Sequence, residues 1–191
     1  MTNDESIYKS AWSIHNVGRT PGGGWYQHEV MGWNLRMTEI QAALLLEQLE
    51  VFEERLKRLR ENGKLLADLL EGVEGISLIP PPKYGEGNYY LVFLRLGREA
   101  LSRGPKEKFV EYMRRRGVEL LAGYEAPVYK QRALYDERWR LPKDLYASLR
   151  LEGAERACRE VVWIYFTALS SEDSARKLAE SLRRGVKEYI R

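Results

Sequence analysis

Cysteine is almost absent from these 191 residues: Cys158 stands alone. One thiol excludes an internal disulfide and a cysteine-built metal centre, and it suits a reducing compartment. Between Ala157 and Arg159 in a helical stretch, it reads as an inert, partly buried side chain rather than a nucleophile. Histidine is nearly as scarce. His15 and His28 lack the His/Glu or His/Cys spacing of a metal site. No serine stands in a G-x-S-x-G context, and no P-loop pattern occurs. No run of 18 apolar residues exists, and Met1–Glu5 is acidic without an apolar core, so neither a membrane span nor a secretory signal is expected and the cytoplasm is. Charge of one sign is also missing as a block. Lys plus Arg number 31 against 28 Asp plus Glu, a net charge of +3. The runs Arg114–Arg116 and Arg183–Arg184 lie among glutamates on helices, which describes a solvated face and gives no indication of nucleic-acid binding.

What is present describes a folded chain. With 44% hydrophobic and 31% charged residues and ordinary Gly and Pro content, it is long enough to bury a sizeable core. Residues 6–17 have the apolar spacing of a short amphipathic helix, and the glycines from Gly18 to Trp25 predict a loop. Thr38 and Gln41 form a capping-box pattern that opens one long helix. Its stripe is Leu45, Leu49, Phe52, Leu56 and Leu59, with a bend or weak point expected at Gly63 and a stop at Gly72–Gly75. Beyond it, strands are expected at 76–79, 89–96, 118–121 and 161–166. Helices are expected at 105–116 and 152–159, with a last helix opened by Ser170 and Asp173. In the last helix Leu178, Leu182, Val186 and Ile190 recur every fourth residue. The order implies an α+β layered fold, with α/β-type layers, from about residue 73 onward.

Chemistry concentrates in Gly32-Trp33-Asn34-Leu35-Arg36-Met37-Thr38-Glu39-Ile40-Gln41-Ala42-Ala43, preceded by Trp25-Tyr26-Gln27-His28-Glu29. An asparagine and an arginine two apart, just ahead of a helix N-terminus, are expected to project alternately and to offer a neutral donor and a cation to anionic groups. The competing reading is purely structural: Asn34 turns the chain and Arg36 pairs with a nearby acid.

The block from Gly32 to Leu49 resembles the segment that follows the lysine region in the DegT/DnrJ/EryC1/StrS sugar aminotransferase family. Thr2-Asn3-Asp4, followed by Trp12, His15, Asn16 and Gly18-Arg19, is similar to the run after that family's Gly-rich post-lysine turn. Pro127-Val128-Tyr129-Lys130-Gln131 is similar to a small-domain segment, and Val161–Ile190 to the closing strand and helix. The resemblance implies the C-terminal part of a fold type I pyridoxal-phosphate (PLP) aminotransferase. Residues 1–72 would be the end of the large domain, with its interface loop and long helix, and residues 73–191 the small α+β domain. It implies that Asn34 reaches the PLP phosphate of a partner subunit. It further implies that Arg36 lies near the substrate's acidic end, and that His28 and Trp33 line the same mouth.

A PLP aminotransferase also needs a lysine to hold the cofactor covalently, an acid for the pyridinium nitrogen and an aromatic against the ring. In the family these precede the segment matched here, and Lys9 falls after the catalytic turn, so it is not the equivalent residue. The expectation is a half-enzyme, inactive alone, which works as a homo-oligomer or with a separately encoded N-terminal half. Its reaction would move an amino group from glutamate or glutamine to a keto-sugar or keto-cyclitol. The rival expectation is a non-catalytic binding or assembly protein that keeps the dimerisation surface.

Overall fold

The computed structural model describes residues 2–23, 28–135 and 142–191. It divides into two compact units, Met1–Glu53 and Glu54–Arg191. In the first, α1 (Glu5–His15) starts at Asp4, whose Oδ1 accepts from the backbone N–H groups of Ser6 and Ile7 at 2.8 and 3.1 Å. This satisfies donors that no helical carbonyl can reach, and it sets a negative charge at the positive end of the helix dipole. The Ser6 hydroxyl, which donates to the same oxygen at 2.6 Å, and then these backbone bonds hold the Asp4 carboxyl below the usual carboxylate range. The capping box is present as read from the sequence. Thr38 Oγ1 accepts from the Gln41 N–H at 3.3 Å, and Gln41 Oε1 accepts from the Thr38 N–H at 3.0 Å, opening α2 (Glu39–Glu50).

The single long helix expected from Thr38 is two helices. Val51, with φ −106° and ψ 2°, leaves the helical well between α2 and α3 (Phe52–Leu70). The break therefore falls at a β-branched residue, whose side chain is confined against the preceding turn, and not at Gly63. Gly63 has a different job: it is buried, and a Cβ there would lie 2.4 Å from the Tyr89 ring. Glycine lets the aromatic pack directly on the helix backbone.

In the second unit β1 (Ile76–Leu78), β2 (Leu91–Leu96) and β3 (Val161–Tyr165) form one antiparallel sheet in the order β1-β2-β3. Ile76 faces Leu96, Leu94 faces Val162 and Val92 faces Ile164. Because successive strand residues point to opposite faces, this register gathers Ile76, Val92, Leu94, Leu96, Val162 and Ile164 on one buried face. Onto the core that this face builds pack Leu66 and Leu70 of α3, Ala100 of α4 (Arg98–Leu101), Phe109 and Met113 of α5 (Lys106–Arg114), and Leu182 and Val186 of α8 (Glu172–Ile190). Each such large side chain contributes about 1.5–3 kcal/mol by leaving water. Asn62 adds a polar tie, its Nδ2 donating to the Leu169 carbonyl at 2.8 Å. The other sheet face is aromatic, with Phe93 set edge-on to Trp163 at 5.8 Å between ring centroids.

Two further expectations shift. Residues 118–121 make only an isolated bridge, Leu121 to Trp163, rather than a strand: Leu121 exchanges two backbone hydrogen bonds with Trp163 and the chain then departs through Gly123 at φ +74°. The cap of α8 is Ser171, one residue later than expected, and its Oγ accepts from the Ser174 N–H at 3.1 Å. Ser170 instead closes the 3-10 turn Phe166–Leu169. Between α5 and β3 the chain runs through 3-10 turns at Val128–Lys130 and Arg132–Tyr135, then α6 (Lys143–Ser148) and α7 (Glu152–Glu160).

Candidate cofactor and substrate site

The site is built on the end of α1. Backbone bonds from Trp33 N–H to the Ile14 carbonyl at 2.8 Å, and from Leu35 N–H to the His15 carbonyl at 2.9 Å, lay residues 33–35 along that end. Val17 N–H donates to the Trp33 carbonyl at 3.0 Å, and Asn16 and Asn34 form an antiparallel bridge. The approach is too close for side chains on both strands. A Cβ at Gly32 would lie 2.4 Å from Gly18 N, and Gly18 itself takes φ +83°. The glycine that begins the Gly-Trp-Asn motif is therefore a packing requirement of the site.

Val17 adopts φ +57°, a left-handed conformation that a β-branched residue rarely takes. Such strain costs on the order of 1–3 kcal/mol and persists only where surrounding bonds over-determine it. They do here. The Val17 N–H is fixed by Trp33, and its carbonyl accepts from His28 Nδ1 at 2.8 Å. Because a carbonyl can only accept, that His28 nitrogen carries the proton and Nε2 is left as the ring's outer nitrogen.

The four residues singled out by sequence thus converge on one short turn. His28 and Trp33 both bond to Val17, and Asn34 bridges Asn16 next to it. Trp33 is 63% exposed. Asn34 and Arg36 meet directly: Arg36 Nε donates to Asn34 Oδ1 at 2.8 Å. The expected alternate projection is corrected here, since residues two apart in an extended segment share a face. The partner found for Arg36 is an amide, not the nearby acid of the structural reading. Trp25, Tyr26 and Gln27 lie outside the described residues.

Sequence reasoning gave no role to Ser13, Asn16 and Val17, which hold the turn. Ser13 and Asn16 are buried, and the Ser13 hydroxyl donates to the Arg19 carbonyl. The available signal was polar: a serine and an asparagine three apart on the inner side of an amphipathic helix need partners if buried. Lys9 stands apart from this site, paired with Glu5 at 2.9 Å on the exposed side of α1. Among the described residues no cluster of His, Cys, Asp and Glu suits a metal ion, and no helix is long and apolar enough to cross a membrane.

The arrangement offers an amide donor and a guanidinium side by side, both exposed, on a backbone tied to the end of α1. That donor set fits the periphery of an anionic cofactor and an anionic substrate group.

The sequence profile of the DegT/DnrJ/EryC1/StrS aminotransferase family matches residues 1–183, and the chain belongs to that family. It is 30% identical over 194 residues to the L-glutamine:2-deoxy-scyllo-inosose aminotransferase of Micromonospora echinospora, covering 93% of this chain and 46% of that protein. It is 29% identical over 142 residues to the UDP-2-acetamido-2-deoxy-3-oxo-D-glucuronate aminotransferase of Pseudomonas aeruginosa, covering 74% of this chain and 36% of that one. The crystal structure of 3-amino-5-hydroxybenzoic acid synthase superposes with a TM-score of 0.78 at 22% identity, over 98% of this chain and 49% of that one. The α+β fold is accordingly that of part of a PLP aminotransferase, and PLP is the family's cofactor. The chain spans about half the length of the curated relatives it matches.

Proposed function

We propose that these residues are the C-terminal portion of a PLP-dependent aminotransferase that transfers an amino group from glutamine or glutamate to a keto-cyclitol or keto-sugar. In this reading residues 1–72 complete a large cofactor-binding domain and residues 73–191 form the small domain. The lysine that holds PLP comes from sequence outside these 191 residues, and the 191 residues alone are inactive. The enzyme works as a dimer in the cytoplasm, Asn34 donates to the PLP phosphate of the partner subunit, and Arg36 receives the substrate's acidic end. His28 and Trp33 border the same opening.

The observation that carries this reading is the Asn34–Arg36 pair on the pinned strand ahead of α2. An amide N–H suits a phosphate oxygen, and a planar guanidinium suits a carboxylate through two parallel hydrogen bonds. PLP supplies an electron sink for amino-group transfer; this chain supplies binding and orientation. The names of relatives that use L-glutamine and scyllo-inosose derivatives support the donor and the cyclitol class. The exposed, apolar α2 supports a missing neighbour. Ile40, Leu44, Leu45, Leu46 and Leu49 are all more than 40% exposed and spread over more than one face of the helix, not along one stripe. Apolar surface on several faces of one helix calls for more than one covering neighbour.

The test is to assemble these residues with a lysine-bearing N-terminal segment from the family and to measure PLP binding and single-turnover transamination with glutamine and a keto-cyclitol. Transamination that depends on both pieces supports the proposal. An assembled protein that binds PLP but leaves every keto-sugar and keto-cyclitol untouched refutes the substrate class, and one in which Asn34→Ala changes nothing refutes the site.

A further inference from the structure

Arg36 does more in this geometry than wait for an anionic substrate group. Its Nε–H donates to Asn34 Oδ1 at 2.8 Å. An arginine nitrogen can only donate, so the amide atom facing it must be the oxygen, and the orientation of the Asn34 amide follows from chemistry. The Nδ2 end is thereby the outer end, and among the described residues it has no other partner. The Nη groups of Arg36 likewise have none. The backbone beneath is held by the Leu35 N–H to His15 carbonyl bond at 2.9 Å and by the Asn16–Asn34 bridge, so the freedom left to Asn34 lies in its two side-chain bonds, and the Arg36 contact is what restrains them.

We infer that Arg36 is a positioning residue for Asn34: its Nε–H fixes the amide so that the N–H₂ donor, and not the oxygen, is presented to the cofactor phosphate. This rests on the reading of Asn34 as the phosphate contact. A freely turning amide would present its oxygen to an anion part of the time, and the binding-competent fraction would fall. One guanidinium then serves two purposes, with Nε ordering the cofactor contact and the Nη pair left for substrate. Arg36→Lys should on this account weaken cofactor binding as well as substrate turnover, which a purely substrate-binding arginine would not do.

Side-chain length supplies a clean discriminator. Counting outward from Cα, the amide nitrogen of glutamine falls at the place of the arginine Nε, whereas lysine has a methylene there and carries its charge one atom further. Arg36→Gln keeps a donor at the Nε place and loses the charge; Arg36→Lys keeps the charge and moves its donors one atom beyond that place.

Two measurements test the inference. In the chain alone, without cofactor, the Arg36 Nε–H resonance in nitrogen-15 NMR is expected to be protected from exchange, and Asn34→Ala should return it to the position of a free arginine. An Nε–H unmoved by Asn34→Ala overturns the proposal. In the assembled enzyme described above, PLP affinity is expected to hold within about threefold in Arg36→Gln and to fall by roughly tenfold in Arg36→Lys, the scale of one hydrogen bond. If Asn34→Ala is costly while Arg36→Lys binds PLP as well as Arg36→Gln or better, the phosphate reading stands and the positioning role falls. If Asn34→Ala itself leaves PLP affinity unchanged, the phosphate reading fails and the positioning role falls with it.

Discussion

The Tyr129 hydroxyl donates to Glu155 Oε1 at 2.5 Å, and the same oxygen receives Lys130 Nζ at 2.9 Å. Tyr129 is buried, and the pair joins the Val128–Lys130 turn to α7. The tyrosine hydrogen bond, and then that of Lys130, hold the Glu155 carboxyl below its ordinary value of 4.5. A depressed carboxyl stabilises the fold above its unfolded pKa and ceases to do so as pH falls through the lower folded one. Lys130 is raised by Glu155, so its contribution is complete below 10.5 and fades above it. Tyr129→Phe should therefore lower the melting temperature near neutrality, with the gap to the unmutated protein narrowing as pH falls below 4.5. Melting curves across an acid series check this; a gap that stays constant contradicts it.

Gly63→Ala should destabilise the second unit by about 1–3 kcal/mol, the scale of overpacking in a close-packed core. The added methyl would meet the Tyr89 ring at 2.4 Å. A lowered denaturant midpoint at unchanged slope is the expected result. An unchanged midpoint would mean that the ring does not rest on α3.

The 191 residues alone should form no stoichiometric, borohydride-trapped PLP adduct. Lys9 is engaged with Glu5 on an exposed helix face. Lys106, the lysine whose amine burial pushes down most clearly, is itself nearly enclosed and donates to the Tyr124 carbonyl at 2.9 Å. Mass spectrometry after borohydride treatment reads the outcome, and a single fully modified lysine would contradict the account.

The chain alone should self-associate through the apolar surface of its first unit. Leu45, Leu49 and Phe52 are exposed, whereas Leu56 and Leu59 are half-buried in the second unit. Exposed apolar surface of this extent is uncommon on a soluble monomer. Leu45→Glu with Leu49→Glu should shift sedimentation toward monomer but not abolish association, because Ile40, Leu44 and Leu46 leave other sides of α2 apolar. A clean monomer at high concentration before any substitution would refute this.

Features whose cause is local were legible in the sequence. Thr38 and Gln41 sit three apart and cap α2 as their spacing requires, and Leu182 and Val186 fall on the buried side of α8. The motif residues were legible as a set, because a family resemblance carries them together. What escaped was set by tertiary contact. Gly63 looked like a bend and proved to be a seat for Tyr89, while the actual break came at Val51, where no glycine or proline marks it. Leu121 read as strand, but only one residue of that segment reaches Trp163. The strained Val17 could not be read at all, since its left-handed backbone follows from bonds to Trp33 and His28, 16 and 11 residues away.

The most direct test of the central claim is the PLP affinity of the assembled enzyme with and without Asn34→Ala. Losing one hydrogen bond to a charged group costs about 1.5–3 kcal/mol, so affinity should fall by roughly ten- to a hundredfold. A variant that retains PLP as tightly as the unmutated pair would contradict Asn34 as the phosphate contact.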